Sequence, residues 1–357
     1  MESEPSSVVQ ATSSAPWLEG GGEMGARMRA VDWGRTAWGP IERWSQSLRA
    51  SVSICLSSRF PMIIWWGPEL RVLYNDAYIP MLGQKHPAAL GKTGFEAWGE
   101  IWEFIGPQLE DVMARGEASW SEDQLLLMRR FGFTEETYFT WSYSPLRDES
   151  GGIGGIFTAV TETTARVLGE RRLKTLQRLG QQIGQSKAAA DACSAAVETL
   201  SANEHDVPFA LCYLFDGGGP HLTLASRAGL AAGTALSPTW TSLDRAPWPF
   251  AEADRSRSLQ VVKGLEQQSP TLPGGPGERP SHNAVVLPLA KTGEHELFGF
   301  LVAGASPLRV LDEPYLGFFD LVAKSIAAAL DSANAYEVER RRREQLEELD
   351  RQEENAG

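Results

Sequence analysis

The chain has 357 residues, 42% hydrophobic and 22% charged, with 33 Lys and Arg against 46 Asp and Glu for a formal net charge of −13. That length suits two domains with extensions, the composition is globular rather than disordered or fibrous, and the acidic excess argues against a nucleic-acid binder. Cys55, Cys193 and Cys212 form no CxxC pair, which points to free thiols in a reducing compartment rather than a disulfide scaffold or zinc site.

Residues 1–31 are rich in Ser, Gly, Ala and Pro and carry no Lys or Arg before Arg27, so neither the basic start nor the apolar core of a secretory signal is present. They read as a disordered tail. No run of about 18 apolar residues occurs, so the expectation is a soluble, cytoplasmic protein without a membrane span. Trp44, Leu48, Val52 and Leu56 recur at spacings of four and predict an amphipathic helix. Pro61 to Trp66 and Leu70 to Tyr74, separated by Gly67-Pro68, predict a hairpin. Short glycine-broken helices follow from Pro80 to Trp102, then a longer helix from Phe104 to Arg115. Ala118 to Met128, Glu135 to Tyr143 and Gly154 to Thr161 read as three strands; the middle one alternates aromatic and hydroxyl residues, the period of a half-buried strand. The glycines at 151–155 therefore belong to a hairpin turn rather than a phosphate-binding loop, which opens a helix.

Ala165 to Ser186 predicts a charged helix that ends one domain and begins the next. Beyond it come a helix from Ala188 to Ser201, a buried strand from Phe209 to Phe215, a strand from Leu222 to Arg227, a mobile Pro- and Gly-rich loop from Gln267 to Pro280, and strands at Ala284 to Leu289 and Leu297 to Ala303. The last element is a long helix from about Glu313, with Glu337/Arg341 and Glu339/Arg343 at helical i, i+4 spacing. Leu346 and Leu349 offer a coiled-coil seam, although Glu339 and Arg342 at the preceding equivalent positions are charged.

Phe60 to Pro68, Leu73-Tyr74-Asn75-Asp76-Ala77-Tyr78 and the order of elements resemble a PAS domain, and Thr161-Glu162-Thr163-Thr164 resembles its exit motif, with Thr161 where that motif starts with Asp. Residues from about 176 to 335 resemble a GAF domain, mainly through Phe298-Gly299-Phe300-Leu301-Val302-Ala303-Gly304 and the helix that follows. The tandem is similar to the N-terminal input region of soluble bacterial hybrid sensor histidine kinases. The resemblance implies an α+β fold of two antiparallel-sheet sensor domains joined and followed by long helices. Its segments are a tail over 1–31, a PAS domain with a flanking helix over 32–165, a linker helix over 166–186, a GAF domain over 187–335 and a signalling helix over 336–357.

The same resemblance implies a homodimer that passes a helix shift to a histidine kinase or response-regulator partner. The motifs of such a kinase are missing: none of His86, His205, His221, His282 and His295 stands in a His-Glu-x-Arg-Thr-Pro phosphoacceptor, and no ATP-lid glycine boxes occur. No catalytic residue and no metal set is assigned. His86 lies where some PAS domains ligate haem, but a lone loop histidine is more often solvated. The Cys motif of flavin photosensors and the Cys-His pair of bilin binders are absent, so haem, flavin and bilin lack motif support and the cofactor is unknown.

Trp65, Trp66, Tyr74, Tyr78, Trp98, Trp102, Trp141 and Tyr143 gather in the PAS half, which holds ten of the 12 tryptophans. A concave sheet lined this way holds a planar aromatic ligand by stacking, with Asn75 and Ser142 as polar anchors, unless these residues are core filling alone. The pocket candidates are Trp66, Tyr74, Asn75, Tyr78, Trp98, Trp141, Ser142 and Tyr143 in the PAS half, and Cys212, Trp248 and Phe250 in the GAF half. Three functional classes follow: a ligand-sensing input module, the front of a phosphotransfer enzyme whose catalytic domains are absent here, and a ligand-free dimerisation scaffold.

Overall fold

The computed structural model describes residues 15–356 apart from 218, 268–271, 276–278 and 294–295, and side chains of the last helix through 348 and at 351. His295, Leu349 as a seam residue, part of the turn after Asp216 and part of the Gln267 to Pro280 loop fall outside the described residues. The chain divides into two compact units, residues 1–167 and 168–357.

In the first unit, α1 (Gly22–Ala30) and α2 (Gln46–Ser57) precede the hairpin of β1 (Met62–Trp66) and β2 (Arg71–Tyr74). The short α3 (Ile79–Leu82) and α4 (Gly94–Trp98) lead to α5 (Trp102–Arg115), then β3 (Ser119–Met128), β4 (Glu135–Arg147) and β5 (Ile153–Glu162). The sheet order is β2-β1-β5-β4-β3, antiparallel throughout, so the first strand lies between its hairpin partner and the last. Ser45 caps α2 by accepting from the Leu48 amide, and Trp44, Leu48, Val52 and Leu56 are all buried, as their spacing predicts. Thr93 and Glu96 form a capping box on α4. In β4 the period of two puts Phe139, Trp141 and Tyr143 on the buried face and Thr140, Ser142 and Ser144 on the other.

The tail expected over residues 1–31 is corrected in its second half. Pro16–Leu18 form a helical turn and α1 is docked, with Leu18, Met24 and Met28 buried in the unit's core. Burial of those side chains and a charged cap explain the order: the Asp76 carboxylate accepts from the Glu23 and Met24 amides at 2.9 and 2.7 Å, where the N-terminus of a helix offers free donors. Gly22 is required there, since its φ is +57° and a Cβ would lie 1.9 Å from Asp76 Oδ2.

Helix α6 (Thr164–Ile183) starts in the first unit and continues into the second. There follow α7 (Ala189–Ser201), β6 (Ala210–Phe215), β7 (His221–Ala228), β8 (Trp240–Ser242), α8 (Phe250–Ser256), β9 (Gln260–Lys263), β10 (Asn283–Ala290), β11 (Leu297–Gly304) and α9 (Glu313–Ala356). The sheet order is β8-β7-β6-β11-β10-β9, again antiparallel. β8, α8 and β9 were not visible in the sequence pattern, because three to seven residues give too few periods to read. The sheet buries both faces. One packs on α6, α7 and α9 through Ala210, Cys212, Leu287 and Leu301, the other on α8 and loops through Leu211, Tyr213, Val286 and Phe300. Helix α9 has 44 residues, about 66 Å at 1.5 Å per residue, and is largely exposed beyond Ala333. Among the described residues no helix is long and apolar enough to cross a membrane.

Candidate functional site

Between the buried face of the first sheet and helices α3 to α5 lies a void of about 40 Å³, lined by Trp65, Tyr78, Met81, Trp98, Ile101, Ile105, Leu126, Met128, Phe139, Trp141, Tyr143, Thr158 and Val160. It exceeds the ~10–15 Å³ that one water needs and falls well short of the ~150 Å³ that admits benzene. The lining is apolar apart from five aromatic polar tips and one hydroxyl. Trp65 Nε1 donates to Thr158 Oγ1 at 2.9 Å and is satisfied. Trp98 Nε1 and Trp141 Nε1, on side chains only 2% and 3% exposed, make no well-formed hydrogen bond; each interacts only weakly with a neighbouring phenol, Trp98 with Tyr78 and Trp141 with Tyr143. A buried donor left wholly unpaired costs about 1–3 kcal/mol, so each weakly bonded indole retains capacity for a better acceptor. Burial pushes the Tyr78 and Tyr143 hydroxyls well above the usual phenol range, so both stay neutral. No ionised side chain lines the void.

Of the eight residues expected to form this pocket, Tyr78, Trp98, Trp141 and Tyr143 line it, and four do not. Trp66 follows Trp65 on the same strand and so faces the opposite side, lining an open groove with Trp38, Trp44 and Arg71. Ser142 sits between Trp141 and Tyr143 and is turned away for the same reason, donating to the Ser119 carbonyl at 3.0 Å. Asn75 is saturated by backbone: its Oδ1 accepts from Met62 and Tyr78 amides at 3.1 and 3.2 Å, and its Nδ2 reaches the carbonyls of Cys55, Ser58 and Phe60. Tyr74 is buried and its hydroxyl meets His86 Nδ1 at 3.0 Å, while His86 Nε2 meets Glu23 Oε1 at 2.9 Å. Both ring nitrogens of His86 are thus engaged, and iron ligation there would break one of these bonds. Met81, Ile101, Ile105, Leu126, Met128, Phe139, Thr158 and Val160 went unread as lining residues. Strand phase finds the sheet residues, since Thr158 pairs across from Tyr143.

The second unit does not bring its three candidates together. Trp248 donates from Nε1 to the Leu236 carbonyl at 2.9 Å, and Phe250 stacks on Phe300 with centroids 4.7 Å apart and against Tyr213 at 5.3 Å. Both are packed core. Cys212 lies on the other face of the sheet, towards the helices, because it alternates with Leu211 and Tyr213. Among the described residues no cluster of three or more His, Cys, Asp or Glu suited to a metal occurs.

Where α6 begins, Arg130 pairs with Glu162 at 2.7 Å and Glu135 at 3.1 Å. Burial pulls the guanidinium's pKa down, but the Glu162 and Glu135 carboxylates outweigh it and hold it above the usual arginine value. Glu162 also accepts from Thr164, whose oxygen accepts in turn from the Tyr138 amide. With Thr161 in place of Asp, the exit motif therefore makes its ion pair through Glu162, one residue on. Asp123 pairs with Arg166 of α6, a bond that holds the Asp123 carboxyl below the usual range. Farther along α6, the wholly buried Asp206 takes Arg171 at 2.8 Å, Arg172 at 3.1 Å and the Asn203 amide at 3.1 Å, and Arg172 lies over the Tyr315 ring at 4.0 Å.

Residues 57–168 match the PAS fold family. The GAF domain of a phosphoenolpyruvate-protein phosphotransferase from Coxiella burnetii aligns at 18% identity and a TM-score of 0.37, covering 47% of this chain and 98% of that one. The GAF domain of the Acinetobacter phosphoenolpyruvate-protein phosphotransferase aligns at 17% identity and 0.35, covering 46% and 94%. No curated protein matches the chain. The void's lining, with the indoles of Trp98 and Trp141, lies within residues 57–168, the segment that matches the PAS fold.

Proposed function

We propose that the chain is an input module of two-component signalling in which the PAS void takes a small neutral molecule rich in hydrogen-bond acceptors. The pair of buried indole N–H groups at Trp98 and Trp141, each held only weakly by the Tyr78 or Tyr143 hydroxyl beside the void, carries this reading. A charged ligand is disfavoured because the lining offers no ion to pair with it. The void in its present form suits a few heavy atoms, such as a small carbonyl or amide compound. A planar aromatic ligand would require the flexible Met81 and neighbouring α5 residues to move aside.

Occupancy has a short route outward. Met128 and Val160 line the void, and two residues beyond each stand Arg130 and Glu162, whose ion pair abuts Thr164 at the head of α6. A ligand that favours one arrangement of β3 and β5 shifts α6 by its differential affinity. The proposal extends to a homodimer paired through α6 and α9 and to a histidine kinase output driven by that pairing.

The test is a panel of small neutral carbonyl and amide compounds read by tryptophan fluorescence and native mass spectrometry. The expected result is a saturable binder weakened about tenfold by Trp98→Phe and by Trp141→Phe, each of which removes one hydrogen bond and keeps a ring. No binder, or binders indifferent to both changes, would sink the ligand reading. A monomer at high concentration in sedimentation would remove the dimer.

A further inference from the structure

We propose that Cys193 and Cys212 are a redox pair, closed to an intramolecular disulfide by a small uncharged hydroperoxide. Cys193 lies on α7 and Cys212 on β6, both at 0% exposure, and the Cys212 thiol donates to Cys193 Sγ with the sulfurs 2.9 Å apart. A disulfide forms at about 2.05 Å, so closure needs less than about an ångström of approach. Two features allow it. The buried face of α7 around Cys193 is built from Ala192 and Ala196, which leave the helix close to the sheet. The β6–β7 ladder shifts register beside Cys212, which pairs with Ser226 while Tyr213 pairs with Leu224, so an extra β7 residue, Ala225, already makes the sheet irregular next to the reacting residue.

The chemistry balances with the named oxidant. One sulfur attacks the peroxide oxygen, breaking the O–O bond to give a sulfenic acid and an alcohol, or water from hydrogen peroxide. The second sulfur attacks that sulfenic sulfur and expels hydroxide, which leaves as water with the remaining thiol proton. The two thiols are oxidised and the peroxide is reduced. The Cys193 hydrogen bond and burial hold the Cys212 thiol well above its ordinary range, so thiolate is scarce and the reaction is slow. The apolar surroundings exclude charged oxidants such as peptide disulfides, which selects a small neutral peroxide.

The bond would tie α7 to β6, the strand between β7 and β11, within the core that Leu179 of α6 and Ile326 and Leu330 of α9 share. Oxidation would therefore stiffen the packing beneath both long helices, independently of any ligand in the PAS void. Cys55, buried on α2 of the first unit with no cysteine beside it, is the internal reference.

In the test the full chain is incubated with hydrogen peroxide, unfolded in N-ethylmaleimide and mapped by peptide mass spectrometry. The expected product carries a Cys193–Cys212 cross-linked peptide and alkylation at Cys55 alone, and dithiothreitol restores all three thiols. Cys55→Ser keeps the cross-link; Cys193→Ser and Cys212→Ser each abolish it. Alkylation of all three cysteines after peroxide, oxidation confined to Cys55, or cross-links only between chains overturns the pair. The map of the unaltered chain decides this even where a serine variant fails to fold.

Discussion

In the first unit the indoles of Trp98 and Trp141 face a small void with their N–H groups only weakly bonded to neighbouring phenols, whereas in the second Trp248 donates to the Leu236 carbonyl and Phe250 stacks on Phe300. Both regions are rich in buried aromatic rings. The difference lies in how well the polar tips are satisfied, so aromatic content alone does not mark a pocket; unmet hydrogen-bond capacity beside empty volume does. The units agree in another respect. Each grips α6 through a buried charge cluster, Arg130 with Glu135 and Glu162 in the first and Asp206 with Arg171 and Arg172 in the second.

The largest expected effect breaks the second grip. Asp206→Ala leaves two arginines without their buried anion and should cost about 3–5 kcal/mol, read as a lower urea midpoint for the second unit while the first holds its own transition. If the two units differ as described, the same kind of substitution then has unequal outcomes in them. Trp248→Phe empties part of a filled core and strands the Leu236 carbonyl, for a loss of about 2–3 kcal/mol. Trp141→Phe removes a donor bonded only weakly to Tyr143 and should cost well under what Trp248→Phe costs, within about 1 kcal/mol. Equal losses at both positions in denaturant melts would erase the contrast.

The smallest effect concerns α1. His86 first, and Arg27 after it, hold the exposed Glu23 carboxyl below the usual range. A lowered folded-state pKa contributes stability above the unfolded value, about 4.3, and that contribution is lost as pH falls through the folded value. Hydrogen exchange over residues 22–30 should therefore accelerate a few-fold below about pH 4, and Glu23→Gln should remove that dependence.

Strand phase was written in the sequence: Phe139, Trp141 and Tyr143 share one face by alternation, and the same rule excludes Ser142 and separates Trp65 from Trp66. The long helices, the first hairpin and the two-domain order were equally legible, because each repeats a period often enough to be read. The docking of α1 was not, since its few apolar residues mean little until Asp76, more than 50 positions away, supplies the cap. Asn75 looked like a ligand anchor because its chemistry suits one, and only the backbone folded around it shows every bond already taken.

The sequence by itself determined which residues are apolar, which face of each element they occupy and how the elements are ordered, because these follow from local periodicity. Only the tertiary structure decided that Trp98 and Trp141 find only weak phenol partners while Trp248 finds a carbonyl, and that Cys193 and Cys212, nineteen residues apart, meet at their sulfurs. Hydrogen-bond satisfaction and contact between distant side chains are properties of packed neighbours, and no local pattern encodes them.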